Sequence, residues 1–377
     1  MVILHVTGMT SNKYGGLERF FLSQMLANPE DHFILAYNSY PKSKEFVDNV
    51  ESAGGIINIL NTDRKNILLN TGKFISVCRK NKVDVVHFHF QDSYLLWGVV
   101  AWLIGVRKRV KYYHSCITTK DFQQIWSKEQ LSWKFNFLTL SGRILSLFTD
   151  IICVSTYIKR QILSVYPFLQ NSKVKVSDIY LGTSLPQVFS EFDCYNLRRE
   201  LGIKLDEIIV STILFAVPMK GVDVFIKAMK YVTAINVRFL IIGTNEDLEY
   251  TKEMHRLAKE NNVEDKIIWI GITDDVPKYL SISDIYVQPS RTEALGLAAV
   301  EAISYGLPTV ASNVGGLPEV TDLLFPVGDY KECSKILNNL ITDSAYRTSC
   351  SNKALKHYYS TFTIAKGISN HHKIYES

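Results

Sequence analysis

The chain has 377 residues, 42 of them basic and 37 acidic, for a formal net charge of +5, and 47% of it is hydrophobic. Such a length and apolar content support two domains with full cores, and the charge is too mild to demand a nucleic-acid partner. The balance suits an anionic small molecule or an acidic membrane surface. Six cysteines (Cys78, Cys116, Cys153, Cys194, Cys333 and Cys350) are widely spaced and include no Cys-x-x-Cys pair. They read as reduced, mostly buried thiols.

The chain opens with the apolar run Met1-Val2-Ile3-Leu4-His5-Val6, which lacks the basic region and cleavage site of a signal peptide. The expected location is cytoplasmic, with possible contact at the inner face of the membrane. The longest apolar stretch, Leu95 to Val106, is about half of the roughly 20 residues a spanning helix needs.

Strand-like runs Val2–Thr7, Phe33–Tyr37, Val83–Phe90, Arg109–His114, Ile151–Ser155 and Val174–Ile179 alternate with longer amphipathic segments. That rhythm predicts βαβ units and a parallel sheet. The pattern breaks at turn residues around Tyr180–Pro186, where a hinge is expected, and a polar helix carrying Asn196–Leu201 follows.

The alternation then restarts with Ile208–Phe215, a helix from Gly221 to Val232, Val237–Gly243, a helix Leu248–Asn261, Ile267–Gly271, Ile285–Gln288, a helix Leu295–Ser304 and Thr309–Ser312. A second doubly wound α/β domain is predicted. The division expected is 1–184, 185–357, and a C-terminal helical segment 358–377 that can cross back to the first domain. Ligands of such sheets bind outside the carboxyl ends of the strands, so the loops there carry the candidate chemistry.

The segment Pro289-Ser290-Arg291-Thr292-Glu293-Ala294-Leu295-Gly296-Leu297-Ala298-Ala299-Val300-Glu301-Ala302 places two carboxylates eight positions apart across a predicted helix start. Between Glu293 and Glu301, the amides near Ala294, Leu295, Gly296 and Leu297 form an anion site at the positive end of the helix dipole. A nucleotide-sugar needs one group for its sugar hydroxyls, a positive helix end for its diphosphate and a second group for its ribose. Taken alone, the same acids also suit a dipole-complementing side chain and a solvated helix residue.

Together with the residues C-terminal to it, this segment resembles the retaining glycosyltransferases of family 4, which have the GT-B fold and a Glu-x7-Glu motif. Ala302-Ile303-Ser304-Tyr305-Gly306-Leu307-Pro308-Thr309-Val310-Ala311-Ser312, Gly315-Gly316-Leu317-Pro318-Glu319-Val320 and Phe325-Pro326-Val327-Gly328-Asp329 keep the family's register. The resemblance covers nearly the whole chain. It implies two Rossmann-like domains, and a hexose-type sugar moved from a nucleoside-diphosphate sugar to a glycan or polyprenyl-linked acceptor. The setting implied is assembly of bacterial surface polysaccharide or glycoconjugate.

The resemblance also implies roles for individual residues. Glu293 would orient sugar hydroxyls and Glu301 the ribose. The glycine pair Gly15-Gly16 after strand one would let the backbone reach the donor diphosphate or the acceptor, although a flexible turn explains the pair equally well in isolation. Lys220-Gly221 corresponds to the family's diphosphate-binding lysine, whereas the usual partner arginine is missing from Leu214-Phe215-Ala216-Val217-Pro218-Met219. Arg291 is a candidate replacement. His114, ending a strand, stands where the family holds a histidine near the donor sugar, and Ile272 where backbone groups hold the base.

His87 and His89 share one strand; one is expected in the core and the other toward the acceptor. No carboxylate pair at ligand spacing joins these histidines, and the resemblance implies no metal and no cofactor. Trp97, Trp102, Arg107, Lys108, Arg109, Lys111, Trp126, Trp133, Lys134, Phe135 and Phe137 suggest a membrane-facing acceptor surface. The alternative to an enzyme is a catalytically weak GT-B-like sugar-nucleotide binding protein, given the missing arginine and Glu-Ala-Leu-Gly in place of Glu-Gly-Phe-Gly. A nicotinamide oxidoreductase lacks its Gly-x-Gly-x-x-Gly.

Overall fold

A computed structural model describes residues 1–12, 14–61, 67–90, 94–116 and 143–377. Contacts divide them into two units, Met1–Leu181 with Ile364–Ser377, and Gly182–Thr363. In the first unit, runs rich in β-branched and aromatic residues form β1 (Val2–Val6), β2 (His32–Tyr37), β3 (Ile56–Ile59), β4 (Val85–Phe88), β5 (Lys108–Tyr113), β6 (Asp150–Cys153) and β7 (Lys175–Asp178). They make one parallel sheet in the order β3-β2-β1-β4-β5-β6-β7. The helices between them are α1 (Gly16–Ala27), α2 (Lys44–Ser52), α3 (Ile67–Lys80), α4 (Tyr94–Leu103) and α5 (Thr156–Val165).

The second unit begins with α6 (Glu191–Glu200) and continues through β8 (Ile208–Ile213), α7 (Val222–Met229), β9 (Val237–Thr244), α8 (Glu249–Glu260), β10 (Ile267–Gly271) and α9 (Val276–Ser281). It is completed by β11 (Ile285–Gln288), α10 (Leu297–Ser304), β12 (Thr309–Ser312), β13 (Leu324–Phe325), α11 (Tyr330–Thr342) and α12 (Ser344–Thr361). Its sheet is also parallel, in the order β10-β9-β8-β11-β12-β13. In both sheets the winding direction reverses between the first strand and its later neighbour, β1 beside β4 and β8 beside β11. Those switch points are where open α/β sheets hold ligands.

Several elements escape the sequence pattern, among them the short helix α9 between β10 and β11. β3 is a short edge strand whose Ile56 and Ile59 are exposed, so it lacks the apolar continuity of a central strand. β13 has only two residues, too few for a strand signal, and α11 starts after the turn Pro326–Asp329 with the Asp329 carboxylate as its N-cap. The C-terminal segment is two helices, because the chain breaks at Phe362 and Thr363 before α13 (Ile364–Glu376).

Thr183 bridges Thr363 at that break, and the Tyr358 hydroxyl lies 2.9 and 2.8 Å from the carbonyls of Thr183 and Ser184. The division therefore falls after Leu181, residues 358–363 stay with the second unit, and α13 alone returns to the first. Gly367 permits close packing there, since a Cβ at that position would meet the Leu181 carbonyl oxygen at 2.2 Å.

Beneath α13, the first unit buries His5 of β1, His87 of β4, His89 and His371, with Tyr112 and Tyr375. Positions i and i+2 of a strand face the same side. Accordingly, His87 and His89 both point inward with rings 4.3 Å apart, correcting the expectation that one faces the acceptor. The hydroxyl of Tyr375 lies 2.6 Å from His87 Nδ1.

Burial holds these imidazoles neutral, pushing His5 down to about 3 and His371 to about 4. Unfolded, His5 takes up its proton near 6.5. Between those values the unfolded chain binds more protons, so stability is lost as pH falls below 6.5. The His5 contribution alone is about 2 kcal/mol between pH 6.5 and pH 5. Thermal unfolding followed at pH 7.5 and pH 5 should show a lower melting temperature at pH 5, and the loss should shrink in His5→Phe.

Candidate active site

At the switch point of the second sheet, β8 leads into Leu214–Lys220 and β11 into Pro289–Gly296. Lys220 Nζ donates to Glu293 Oε2 at 2.8 Å, with both side chains largely covered. A row of buried hydrogen bonds fixes the carboxylate from behind. Tyr286 OH donates to Gln288 Oε1 at 2.7 Å, Gln288 Nε2 to Ser290 Oγ at 2.9 Å, and Ser290 Oγ to Glu293 Oε2 at 3.1 Å. Tyr286 is itself anchored to β8 by the Ile213 amide at 3.3 Å. Burial pushes its phenol above the usual range, so it remains a donor.

Glycines allow the neighbouring loops to reach this row. A Cβ at Gly221, where φ is +71°, would stand 1.9 Å from the Pro289 carbonyl oxygen. At Gly315, with φ +62°, it would stand 1.7 Å from the Glu293 carbonyl oxygen, and at Gly316 2.4 Å from that of Ala294. The loops after β8, β11 and β12 thus touch backbone to backbone around Glu293.

Helix α10 begins at Leu297, two residues later than expected, with Gly296 as its N-cap at φ +93°. Glu293 therefore lies in the loop and Glu301 within the second helical turn, with the first unbonded helix amides between them. Leu295 is buried, anchoring the loop through its side chain, while Leu297 is exposed. The second unit brings Lys220, Glu293, Ala294, Leu295, Gly296, Leu297 and Glu301 into one locality.

Arg291 is engaged elsewhere. Its guanidinium donates to both Asp223 carboxylate oxygens, at 2.8 and 2.7 Å, and to the Pro218 carbonyl at 2.7 Å. This fork ties the β11 loop to α7, and the Asp223 hydrogen bond raises the guanidinium further. Ile272, after the edge strand β10, is 61% exposed.

In the first unit Gly15 caps α1. Its amide donates to Glu18 Oε2 at 3.1 Å, and Ser11 Oγ donates to the other oxygen at 2.8 Å. A Cβ at Gly16 would meet no atom within 4 Å, so that glycine faces open space. His114 follows β5, half-buried against Phe90 and Tyr112, with Nε2 2.9 Å from His89 Nδ1.

His5, His87 and His89 bring ligand-type nitrogens within 4.8 Å of one another. Of the aromatic and basic stretch proposed for the acceptor side, Trp97 is a core residue donating to Thr71 Oγ1 at 2.9 Å, and Lys108 is buried against Asp150 at 3.1 Å. Lys111 is also buried and donates to the His89 carbonyl. Arg107 donates to the Tyr375 carbonyl and Arg109 to that of Leu147. Trp102 is exposed, while Trp126, Trp133, Lys134, Phe135 and Phe137 lie outside the described residues. Among the described residues no helix is long and apolar enough to cross a membrane.

The sequence profile "Glycosyltransferase Family 4" matches residues 14–178, and "Glycosyl transferases group 1" matches residues 195–357. The chain is a glycosyltransferase that resembles the family 4 enzymes. This glycosyltransferase is 24% identical to N-acetyl-alpha-D-glucosaminyl L-malate synthase of Bacillus anthracis, over 80% of the chain and 77% of that protein. It is 28% identical to the Escherichia coli UDP-Gal:alpha-D-GlcNAc-diphosphoundecaprenol alpha-1,3-galactosyltransferase, over 63% of the chain and 60% of that enzyme. The fold is GT-B. It matches the structure of Anabaena HepE in complex with UDP and glucose at a TM-score of 0.80 and 18% identity, covering 100% of this chain and 99% of that one.

Sequence reading overlooked Tyr286, Gln288, Ser290 and Asp223, the residues that hold Glu293 and Arg291. The i, i+2 spacing of Tyr286, Gln288 and Ser290 along and just beyond one strand was the available signal. Gly315→Ala should fold less stably by about 1–3 kcal/mol and lose turnover, since its Cβ displaces the Glu293 backbone. Gly16→Ala should keep the wild-type melting temperature while turnover falls, if that space receives substrate. Melting curves and product release measured on both variants check the pair.

Proposed function

We propose that the enzyme transfers a hexose-type sugar from a nucleoside-diphosphate sugar to a glycan or polyprenyl-linked acceptor, with retention at the anomeric carbon, in surface polysaccharide or glycoconjugate assembly. The observation that carries this reading is the Lys220–Glu293 pair at the β8/β11 switch point, beside the N-terminus of α10. The activity of the Escherichia coli relative and the ligands of the HepE complex support the donor and acceptor classes.

In this reading Lys220 and the first amides of α10 receive the diphosphate, and their positive charge stabilises it as it departs. Because Arg291 is held by Asp223, these groups carry the charge that the family's arginine would share. In the free protein Lys220 and Glu293 offset each other, so an arriving diphosphate does not face a bare carboxylate. Held by Lys220 and Ser290, Glu293 presents its carboxylate to sugar hydroxyls as an orienting acceptor, and Glu301 serves the ribose. His114 contacts the donor sugar. With Glu293 fixed in this way, same-face transfer without a covalent enzyme intermediate is the mechanism we favour. No metal or cofactor is required in this scheme. The base sits near Ile272, and Gly15 and Gly16 open the first sheet to substrate. Any contact with the inner membrane face would involve the exposed Trp102 and Leu103 of α4.

A panel of nucleotide-sugars, assayed by release of nucleoside diphosphate with lipid-linked and glycan acceptors, tests the proposal. One donor should be consumed by wild type and none by Glu293→Ala. Lys220→Ala should lose roughly 10- to 100-fold in kcat/KM for that donor, the magnitude of a lost charged hydrogen bond. Consumption of no donor with any acceptor, or full activity in Glu293→Ala, would sink it.

A further inference from the structure

His5, His89 and His114 touch ring to ring from the core of the first unit to the carboxyl end of β5. His5 Nδ1 is 3.0 Å from His89 Nε2, and His89 Nδ1 is 2.9 Å from His114 Nε2. Burial keeps the three rings neutral, helped at His89 and His114 by the Lys111 ammonium. A neutral imidazole has one N–H and one bare nitrogen, and the bond made by one nitrogen decides which of the two holds the proton. The row therefore carries three protons. Each of its two contacts uses one, and the third stands at an end, on His5 Nε2 or on His114 Nδ1.

The two ends are not alike. His5 Nε2 is sealed from solvent and has no hydrogen-bond partner among the described residues; the Gln24 side-chain oxygen makes no bond to it, being likewise without a partner. A proton there would be a buried N–H with no acceptor, which is rarer and costlier than an under-used acceptor. The same cluster already holds a bare, sealed ring nitrogen. His371 Nδ1 lies 2.7 Å from the Gly367 carbonyl and must donate to it, so His371 Nε2, also sealed and without a partner, is bare. His114, in contrast, follows β5 at the carboxyl end of the sheet and is only half-buried, so water or a ligand can accept its outer proton.

We propose that the row is directed outward: His5 Nδ1–H donates to His89, His89 Nδ1–H donates to His114, and His114 presents Nδ1–H as a fixed hydrogen-bond donor to a substrate oxygen. His89 is a positioning residue, because its N–H keeps His114 Nε2 bare, and His114 is the residue that touches substrate. That use rests on the proposed transferase reading, whereas the direction of the row is a property of the protein alone. A nitrogen that already holds a proton donates to a hydroxyl, carbonyl or carboxylate oxygen and cannot take up the proton of an acceptor hydroxyl. His114 thus orients substrate and is not a general base. It favours a substrate group with an oxygen lone pair over an ammonium, which has none.

Nitrogen NMR of the full chain labelled with ¹⁵N-histidine, with His89 and His114 assigned through His89→Gln and His114→Gln, reads the row without any substrate. The expected result in wild type is a proton on Nδ1 and a bare Nε2 in both rings, with nitrogen–nitrogen coupling across the bond between them. In His5→Phe the Nε2 of His89 becomes the sealed end and stays bare, so His114 should keep its Nδ1 proton. Addition of the donor that the nucleotide-sugar panel identifies should leave that proton in place. A wild-type His114 with a bare Nδ1, or one that gives up this proton in His5→Phe, overturns the direction of the row, and loss of the proton on donor binding overturns its use. The first two outcomes need no substrate, so failure of this inference and failure of the transferase reading are distinguishable.

Discussion

The second unit is organised around one ion pair, Lys220 to Glu293 at 2.8 Å. Two opposite charges at that distance and partial burial are useful only if their geometry is fixed, since an exposed pair contributes little. The chain fixes it from both sides. Lys220 leaves β8 through a tight turn ending at Gly221, and Glu293 leaves β11 with Ser290, Gln288 and Tyr286 hydrogen-bonded in sequence behind it. Substitution of any glycine that lets these loops meet would separate the charges. The same constraint places the start of α10 next to the pair, so a lysine, a carboxylate and a helix end share one small region.

Much of this was legible in the sequence, for identifiable reasons. The buried parallel strands produce continuous β-branched runs, and β10, β11 and β12 match their expected limits because Pro, Gly and Asp bound them sharply. Glu293, Lys220 and Gly296 could be named because they sit at strand ends, where chemistry in such sheets concentrates. What remained hidden depends on contacts between distant segments. Arg291 reads as a free cation near the motif until Asp223, far away in sequence, is found gripping it. The apolar and basic stretch around Trp97 to Lys111 reads as a surface until Asp150, Thr71 and α13 are seen to cover it. The shared inward face of His87 and His89 was available from strand periodicity alone.

The first unit solves a different problem. It buries histidines where a parallel sheet more usually carries aliphatic side chains, and joins them to one another and to Tyr375 of a helix that arrives from the far end of the sequence, with one ring nitrogen each of His5, His87 and His371 left without a hydrogen bond among the described residues. Burial makes these rings neutral and sensitive to acid. It also makes the hydrogen-bond polarity of His5, His89 and His114 collective, since each ring contacts the next. Return of α13 to the first unit completes this core as well as closing the chain.

The central claim is that the diphosphate of the donor is received by Lys220 and the N-terminus of α10. A crystal structure of the enzyme with its nucleoside diphosphate bound tests it most directly. The account predicts phosphate oxygens within hydrogen-bond distance of Lys220 Nζ and of the Leu297 and Ala298 amides, with Arg291 still paired to Asp223. A diphosphate seated instead in the cavity of about 680 Å³ lined by Asp223, Lys227, Tyr250, Arg256 and Arg291, with the Arg291 fork broken, would contradict it.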